Sequence, residues 1–345
     1  MLNEQTPNTE VRAEGRTEAG AEAQPVTAGP IDNGTVTIVY SDEFLLHDTG
    51  WGHPERPDRL RAIVAALQTA PFADRLRWHS PQLVPASDAP IDPLTQALRR
   101  AHEPDYINHV RLLANRGGGQ LEVDTPISAR SYEVARLAVQ AWLDGMDEAI
   151  ATGQPVFVAA RPPGHHALRH RGMGFCLFAN AAITALTALE AGQAQRVAIV
   201  DWDVHHGNGT EAIVRDHSQI AYCSIHQSPA YPGTGRPGVA DQDHQLLNLP
   251  VPPGADGSTY QALVEAQLLP FLRNFDPDLL IISAGYDANR DDPLAQIHLQ
   301  PEDYGWLTRS LLGISRRTVL GLEGGYDLNS LARSVYETIL ACLSS

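Results

Sequence analysis

The sequence contains no lysine, so all 25 basic residues are arginine, and 41 acidic residues outnumber them. The resulting formal net charge of −16 argues against nucleic-acid binding, because a nucleic-acid binder needs a basic surface to replace counterions. We attribute the absence of lysine to biased codon usage. No apolar run reaches the ~18 residues that a membrane-spanning helix requires, so we expect no membrane insertion.

Cysteine is also scarce, and Cys176, Cys223 and Cys342 are too few to form a disulfide framework. The first thirty residues lack the basic start and the apolar stretch of a secretory signal. Both features favour a reducing cytosol, and we predict a cytoplasmic protein. The sequence does not indicate an oligomeric state.

The composition divides the chain into a tail and a single domain. Residues 1–33 are rich in Glu, Ala, Thr, Gly and Pro and have no periodic apolar pattern. Such a segment buries too little apolar surface to offset its ordering entropy, so we predict that it is disordered. Beyond it there is no internal repeat and no Pro/Ser-rich linker, and residues 34–345 are predicted to form one domain.

Short apolar runs rich in Val and Ile predict strands that are buried on both faces. These runs are Val36–Tyr40, Val156–Ala160, Val197–Val200, Ile220–Ile225, Leu279–Ile282 and Val319–Leu322. Helical periodicity between them predicts helices at Leu60–Leu67, Tyr132–Ile150, Ala181–Leu189, Tyr260–Leu272 and Leu328–Leu343. Strand alternating with helix predicts an α/β domain with a mostly parallel sheet and helices on both faces.

Unusual polar residues begin where four of the predicted strands end. The runs are Arg161–His166, Asp201–Gly209, Ala284–Asp287 and Glu323–Tyr326. In open α/β sheets, ligands bind outside the carboxyl ends of the strands. We therefore expect these Asp, His and Tyr side chains to meet at one edge of the sheet.

Asp203, His205 and Asp287 form a candidate metal site. Asp203 and His205 are two residues apart on an extended segment, so their side chains point to the same face. Three protein ligands leave a coordination position open for water, which is typical of a catalytic site. Zinc is the first choice, and ferrous iron or cobalt would also accept these donors. The alternative is a polar loop in which Asp and His cap a helix that begins near Gly207.

The tandem histidines His165 and His166 follow a rigid Pro-Pro-Gly segment and could supply the base and the acid of a metal-assisted hydrolysis. Alternatively, one of them is a metal ligand or a buried structural residue. Tyr326 follows two glycines and could donate to an oxyanion, or it could be a packing tyrosine. Gly172–Cys176 could line a narrow apolar slot or simply open a helix.

Together, these motifs resemble the zinc-dependent histone deacetylase family, which includes acetylpolyamine amidohydrolases and acetoin-utilisation proteins. The resemblance extends from about Val36 to Leu343. It rests on Arg161-Pro-Pro-Gly-His-His, Gly174-Phe-Cys, Asp201-Trp-Asp-Val-His-His-Gly-Asn-Gly, Ser283-Ala-Gly-Tyr-Asp and Leu322-Glu-Gly-Gly-Tyr. It implies the arginase–deacetylase fold, with an eight-stranded parallel sheet flanked by helices. It also implies hydrolysis of an acetyl amide by metal-activated water.

The resemblance further implies roles for individual residues. Zinc would be held by Asp203, His205 and Asp287. His165, oriented by Asp201, would be the electrostatic partner, and His166 the general base and acid. Tyr326 would stabilise the oxyanion. A structural potassium ion would be bound by backbone oxygens of Asp201, Asp203 and His205 together with Ser224.

Substrate contacts are implied in the same way. Phe175 would form one wall of the acyl-lysine tunnel, and Gly174 would accept the substrate amide hydrogen. Arg59 resembles the arginine beside the acetate-exit channel. The segment His226–Gly235 looks shorter than its class I counterpart and lacks the tunnel phenylalanine of that class, which leaves Tyr231 as a candidate for the second wall.

Two further positions bear on mechanism and substrate. Asn208 stands where class I members carry Asp, as in class II members. Leu294 stands where some polyamine-selective members carry Glu, which can pair with a distal ammonium. We therefore predict a deacetylase of acetyl-lysine in proteins or peptides. A small-molecule amidohydrolase acting on acetylpolyamines or another metabolite is the second hypothesis, and a non-catalytic acyl-binding module is the third.

Overall fold

The computed structural model describes residues 34–83, 92–237 and 245–344, so the predicted tail lies outside the described residues. Within these ranges, eight strands form one sheet in which every neighbouring pair is parallel. From edge to edge the sheet contains β2 (Leu76–His79), β1 (Val36–Val39), β5 (Val156–Val158), β10 (Thr318–Leu322), β9 (Leu279–Ala284), β6 (Val197–Asp201), β7 (Ile220–Gln227) and β8 (Leu246–Val251). A separate antiparallel hairpin contains β3 (Gly118–Glu122) and β4 (Thr125–Ser128).

All six predicted strands are confirmed, with ends that agree to within two residues. Each of the six is buried along its whole length, so both faces of the sheet are covered. The two strands of this sheet that the residue pattern did not predict are its edge strands, and the hairpin strands β3 and β4 were not predicted either. In β2 only Leu76 is buried, and in β8 buried residues alternate with half-buried ones. Neither strand therefore contains the continuous apolar run of a central strand.

The helices of the described chain are α1 (Asp58–Gln68), α2 (Pro93–Ala101), α3 (Pro104–Asn115), α4 (Ser131–Thr152), α5 (Asn180–Glu190), α6 (Asn208–Val214), α7 (Gly257–Leu263), α8 (Leu269–Phe275), α9 (Pro301–Leu312) and α10 (Leu328–Ser344). All five predicted helices are confirmed. The one predicted at Tyr260–Leu272 is interrupted by a π-helical turn, Val264–Leu268, between α7 and α8. Pro270 follows this turn and has no N–H to donate, which favours a local change of the helical hydrogen-bond pattern.

The four strands that precede the polar runs are neighbours at the centre of the sheet, in the order β5, β10, β9, β6. Their carboxyl ends therefore lie side by side, as the sequence predicts. The three cysteines are buried free thiols. Within the described ranges, no helix is both long and apolar enough to cross a membrane.

Candidate active site

The three predicted metal-binding residues lie together at the ends of β6 and β9. One potential ligand atom from each of Asp203, His205 and Asp287 lies within 4.8 Å of the other two. His205 Nδ1 is 3.2 Å from Asp203 Oδ1 and 3.0 Å from Asp287 Oδ2. Two carboxylates thus converge on one imidazole.

Backbone amides fix the orientation of both carboxylates. The Gly324 N–H donates to Asp203 Oδ2 at 2.8 Å, and the Val204 N–H donates to Asp287 Oδ1 at 2.9 Å. Glycine is required beside them, because a Cβ on Gly324 would lie 2.4 Å from Asp287 Oδ2. The close approach of the β10 loop therefore builds one wall of the cluster.

The electrostatics of this cluster fit a cation. Asp287 Oδ2 is buried and has no hydrogen bond of acceptable geometry. Burial opposes the charging of His205, but the close carboxylates of Asp203 and Asp287 raise its pKa to about 10. One buried carboxylate oxygen of the cluster thus lacks a hydrogen bond of acceptable geometry, and the donor set of two oxygens and one nitrogen suits a divalent metal.

The alternative interpretation, helix capping, does not describe these side chains. Helix α6 begins at Asn208 after Gly207, which provides no side-chain cap. Asp203 and Asp287 instead accept hydrogen bonds from amides outside α6 and approach His205.

The tandem histidines occupy different electrostatic environments although their ring centroids are only 4.0 Å apart. His165 Nδ1 lies 3.1 Å from Asp201 Oδ2. Burial would lower the pKa of His165, but the charges of Asp203 and Asp201 outweigh it and hold this pKa well above 6.5. For His166, burial and then the neighbouring His165 and His205 lower the pKa well below 6.5.

The tautomer of His166 follows from its partner. His166 Nδ1 lies 2.7 Å from Asn208 Oδ1, and an amide oxygen can only accept a hydrogen bond. Asn208 Nδ2 points instead to Met173 Sδ at 3.6 Å, in keeping with this amide orientation. Nδ1 of His166 therefore carries the proton, and its Nε2 keeps a free lone pair.

Tyr326 lies in the loop that follows β10. Its ring meets Phe175 edge-on, with centroids 5.8 Å apart, and the Arg59 guanidinium lies 5.0 Å from the ring centroid. Burial, followed by the negative charge of Asp287, raises the pKa of Tyr326 well above 10. Its hydroxyl is thus a permanent hydrogen-bond donor at neutral pH.

The segment Gly172–Cys176 does not open a helix, since α5 begins only at Asn180. Gly174 and Phe175 both have positive φ, +53° and +69°, which turns the Phe175 ring towards Tyr326. A Cβ on Gly174 would lie 2.5 Å from His166 Cδ2, so only glycine fits against this imidazole. Tyr231 is 40% exposed, and its ring lies 5.1 Å from that of His166.

Arg59 belongs to a buried ion network beneath Tyr326. Its Nε donates to Gly325 O at 2.6 Å and its Nη2 to Glu323 O at 2.5 Å. Glu55 binds both Arg59 and Arg161, and all three side chains are fully buried. Burial would raise the pKa of Glu55, but the two guanidinium groups lower it to about 2. The network ties α1 to the loop that carries Tyr326.

Sequence reasoning gave no role to the Glu323 side chain, although a charged residue directly after a buried strand is itself a signal. Glu323 Oε2 accepts from the Gly164 and His165 N–H groups at 2.7 and 3.2 Å, and Oε1 accepts from the Ser283 hydroxyl at 3.0 Å. Burial is the main reason that its pKa rises to about 7. This carboxylate fixes the backbone of the tandem histidines.

Two predicted residues lie at the margins of the site. Ser224 on β7 is the register partner of Asp201 on β6, and its Oγ lies 2.8 Å from His226 Nδ1. Leu294 is 42% exposed on the loop that follows Asp287.

Comparison with known proteins agrees with this architecture. The histone deacetylase domain family matches residues 53–342. A histone deacetylase-like amidohydrolase of Pseudomonas aeruginosa is 35% identical over 287 residues, which cover 80% of this chain and 73% of that protein. A probable deacetylase of Methanothermobacter thermautotrophicus is 35% identical over 304 residues, which cover 87% of this chain and 88% of that protein.

Among solved structures, the crystal structure of the HDA15 HD domain is similar, with a TM-score of 0.82 and 34% identity over 90% of each chain. This likeness confirms the predicted arginase–deacetylase fold. The chain belongs to the histone deacetylase family of hydrolases, which includes deacetylases and amidohydrolases.

Proposed function

We propose that this protein is a zinc-dependent deacetylase that removes acetyl groups from acetyl-lysine in proteins or peptides. The observation that carries the proposal is the convergence of Asp203, His205 and Asp287 beside two adjacent imidazoles, of which His165 bonds to Asp201 and His166 to Asn208. These surroundings shift the pKa values of the two imidazoles in opposite directions. Titratable neighbours whose pKa values are pushed apart are typical of acid–base catalysis. Here they lie next to donors that suit a divalent metal.

Asp203, His205 and Asp287 would hold the zinc ion. When bound, zinc would supply Lewis acidity to a water molecule and to the acetyl carbonyl. Ferrous iron or cobalt would suit the same donors. A structural potassium ion would use backbone oxygens of Asp201, Asp203 and His205 together with Ser224.

His166 is the proposed general base and acid. Its imidazole is neutral because its pKa is low, and its Nε2 has a free lone pair. Nε2 can therefore take the proton of the attacking water and then deliver it to the leaving amine. His165, held by Asp201, stays protonated and stabilises negative charge that develops in the transition state. The two roles require the two different protonation states that the surroundings favour.

The substrate would enter between Phe175 and Tyr231. Phe175 would form one wall of the tunnel and Tyr231 the second, while the Gly174 carbonyl would accept the amide hydrogen of the substrate. The Tyr326 hydroxyl would donate to the carbonyl oxygen as it becomes an oxyanion. Arg59 would lie beside the path by which acetate leaves.

The direct test is a substrate panel on metal-reconstituted protein. An acetyl-lysine peptide and N-acetylspermidine are assayed side by side, with a chelator and a hydroxamate as controls. We expect deacetylation that both additives suppress. If the metal-loaded protein hydrolyses no acetyl amide, the proposed deacetylase activity is wrong, and a non-catalytic acyl-binding module becomes the better hypothesis.

One feature favours the second candidate, an acetylpolyamine deacetylase. Glu122 and Asp124 lie on either side of the exposed turn between β3 and β4. The burial of Tyr231 is the main cause that raises its pKa, and the negative charges of Glu122 and Asp124 are the next largest causes. They therefore lie near the proposed tunnel wall, where they would attract a cationic tail. A lysine-rich or arginine-rich peptide would gain from the same charges, so the choice depends on contacts closer to the tunnel.

Leu294 provides a test of the substrate class. An apolar side chain there gives a distal ammonium no partner, whereas the methylenes of acetyl-lysine can pack against it. We expect a higher kcat/KM for the acetyl-lysine peptide than for N-acetylspermidine, and we expect Leu294→Glu to narrow the gap. Leu294→Gln has the same length without the charge and should leave the gap nearly unchanged. A wild-type preference for the acetylpolyamine would favour the second candidate.

Asn208 provides a test of the base. Asn208→Asp places a negative charge beside His166 Nδ1 and should raise the pKa of that imidazole, by about one unit or more. Because the base must be neutral, the acid limb of the kcat/KM profile should move to higher pH. Asn208→Ser removes the amide without adding charge and should not move the limb upward. An unmoved limb in Asn208→Asp would contradict the role of His166.

A further inference from the structure

Asp292 is a buried carboxylate to which the catalytic scheme gives no role. It is 5% exposed and lies on the loop that follows β9, five residues after Asp287. Its Oδ2 accepts from the Tyr326 N–H at 2.6 Å, and its Oδ1 accepts from the Leu294 N–H at 2.9 Å. One side chain therefore binds the backbone of Tyr326, the proposed oxyanion donor, and of Leu294, which we place at the rim of the proposed substrate tunnel.

Burying a carboxylate is costly, and among the described residues Asp292 forms no ion pair that would offset the cost. Its compensation comes from backbone N–H groups, including those of Tyr326 and Leu294. A leucine, whose side chain branches at the same atom, would avoid the cost of burying a charge but would leave both N–H groups without this acceptor. The arrangement points to a requirement for fixed geometry between two loops.

The loop that carries Tyr326 is also held at Gly324, whose N–H donates to Asp203 Oδ2 and whose carbonyl accepts from the Tyr286 N–H. Tyr326 follows Gly324 and Gly325, and Gly325 has a φ of +116°, a conformation that resists substitution but does not itself fix the next residue. Arg59 anchors the loop on one side through Gly325 O. The bond from the Tyr326 N–H to Asp292 is a further anchor, and it lies directly at the residue whose phenol would reach the substrate oxygen.

We propose that Asp292 is a positioning residue that sets the place of the Tyr326 hydroxyl and ties it to the tunnel rim at Leu294. The inference rests on the proposed function. Because one carboxylate oxygen accepts from the loop after β10 and the other from the loop after β9, Asp292 fixes the position of Tyr326 relative to Leu294. A misplacement of about 1 Å at a reacting group can cost about 100-fold in rate.

Asp292→Asn separates positioning from packing. The amide has nearly the same volume, but it offers one acceptor oxygen and turns a donor towards the other N–H. We expect kcat to fall by about 10- to 100-fold with KM changed by less than about threefold and with bound metal retained. Asp278→Asn is a matched control, because Asp278 also accepts two backbone N–H groups, at 2.7 and 2.9 Å, but far from the polar edge of the sheet, before β9 begins.

A double-mutant cycle provides the decisive measurement. If Asp292 acts through the Tyr326 hydroxyl, Asp292→Asn should change kcat by less than about threefold in a Tyr326→Phe background, because the group that it positions is already absent. The proposal would be overturned if the kcat of the double variant fell by the product of the two single losses. A wild-type kcat in Asp292→Asn alone would overturn it as well. If Asp292→Asn does not fold, Asp292→Ser keeps one acceptor oxygen and enters the same cycle. A wild-type protein without deacetylase activity would instead contradict the proposed function.

Discussion

Asp287→Ala is expected to abolish metal retention and hydrolysis together. The substitution removes the one cluster oxygen that has no hydrogen bond, Asp287 Oδ2, and leaves two of three donors. A site with an open coordination position has no spare ligand to replace it. The loss of rate should therefore exceed about 100-fold, the upper range for the loss of a partner that only supports a ligand. Metal content of the purified variant and its rate with added zinc measure both effects.

A control must separate ligand loss from general damage, since the Val204 N–H also loses its acceptor. Asp303→Ala removes a carboxylate from the capping box of α9, where it accepts from the Gln300 N–H, but leaves the cluster intact. This control should retain metal and activity even if its melting temperature falls. Wild-type metal content in Asp287→Ala would show that the proposed ligand set is wrong.

The position of the site was predictable because it depends on strand ends. Central strands such as β6 and β9 are buried on both faces, so their sequences are continuous apolar runs with clear ends. The edge strands β2 and β8 lack such runs because they are only partly buried. The residue pattern also missed helices α2, α3, α6 and α9, and of these α9 begins at a capping box formed by Gln300 and Asp303, a signal that was present in the sequence.

The electrostatics of the site were less predictable, because they depend on contacts between residues that are far apart in the chain. The adjacent residues His165 and His166 have nearly identical sequence contexts, yet their pKa values shift in opposite directions. The charges of Asp203 and Asp201 raise the pKa of His165, whereas burial and the neighbouring imidazoles of His165 and His205 lower the pKa of His166, and the fold sets all of these contacts. The motifs thus predicted which residues lie together, whereas the direction of each pKa shift and the tautomer required the structure.

The same holds for the groups that support Tyr326. Glu55 and Arg161 are 106 positions apart, and Arg59 reaches Gly325 across 266 positions. No local sequence pattern predicts such pairs. The planar guanidinium group of Arg59 reaches its partners only when α1 packs near the β10 loop. Asp292, too, looks like an ordinary acidic loop residue until its two acceptor bonds are seen.

Tyr326→Phe should lower kcat by about 10²- to 10³-fold, the usual loss when one oxyanion donor is removed. The substitution keeps the ring, so the edge contact with Phe175 and the approach of Arg59 are retained. Since burial raises the pKa of Tyr326 well above 10, the hydroxyl is protonated throughout the usual assay range. The ratio of wild-type to variant rate should therefore be independent of pH, which distinguishes an oxyanion donor from a group that titrates during turnover.

Tyr286→Phe is the matched control for this prediction. It removes another buried hydroxyl, which bonds to Thr338 at 3.3 Å, from the residue directly before Asp287. If the loops after β9 and β10 were sensitive to the loss of any buried hydroxyl, kcat would fall in both variants. Our expectation is that Tyr286→Phe retains kcat within about threefold, while Tyr326→Phe loses it and still binds metal and substrate. If Tyr326→Phe keeps near-wild-type kcat on the best substrate, Tyr326 is a packing residue, and the oxyanion must be stabilised by other groups.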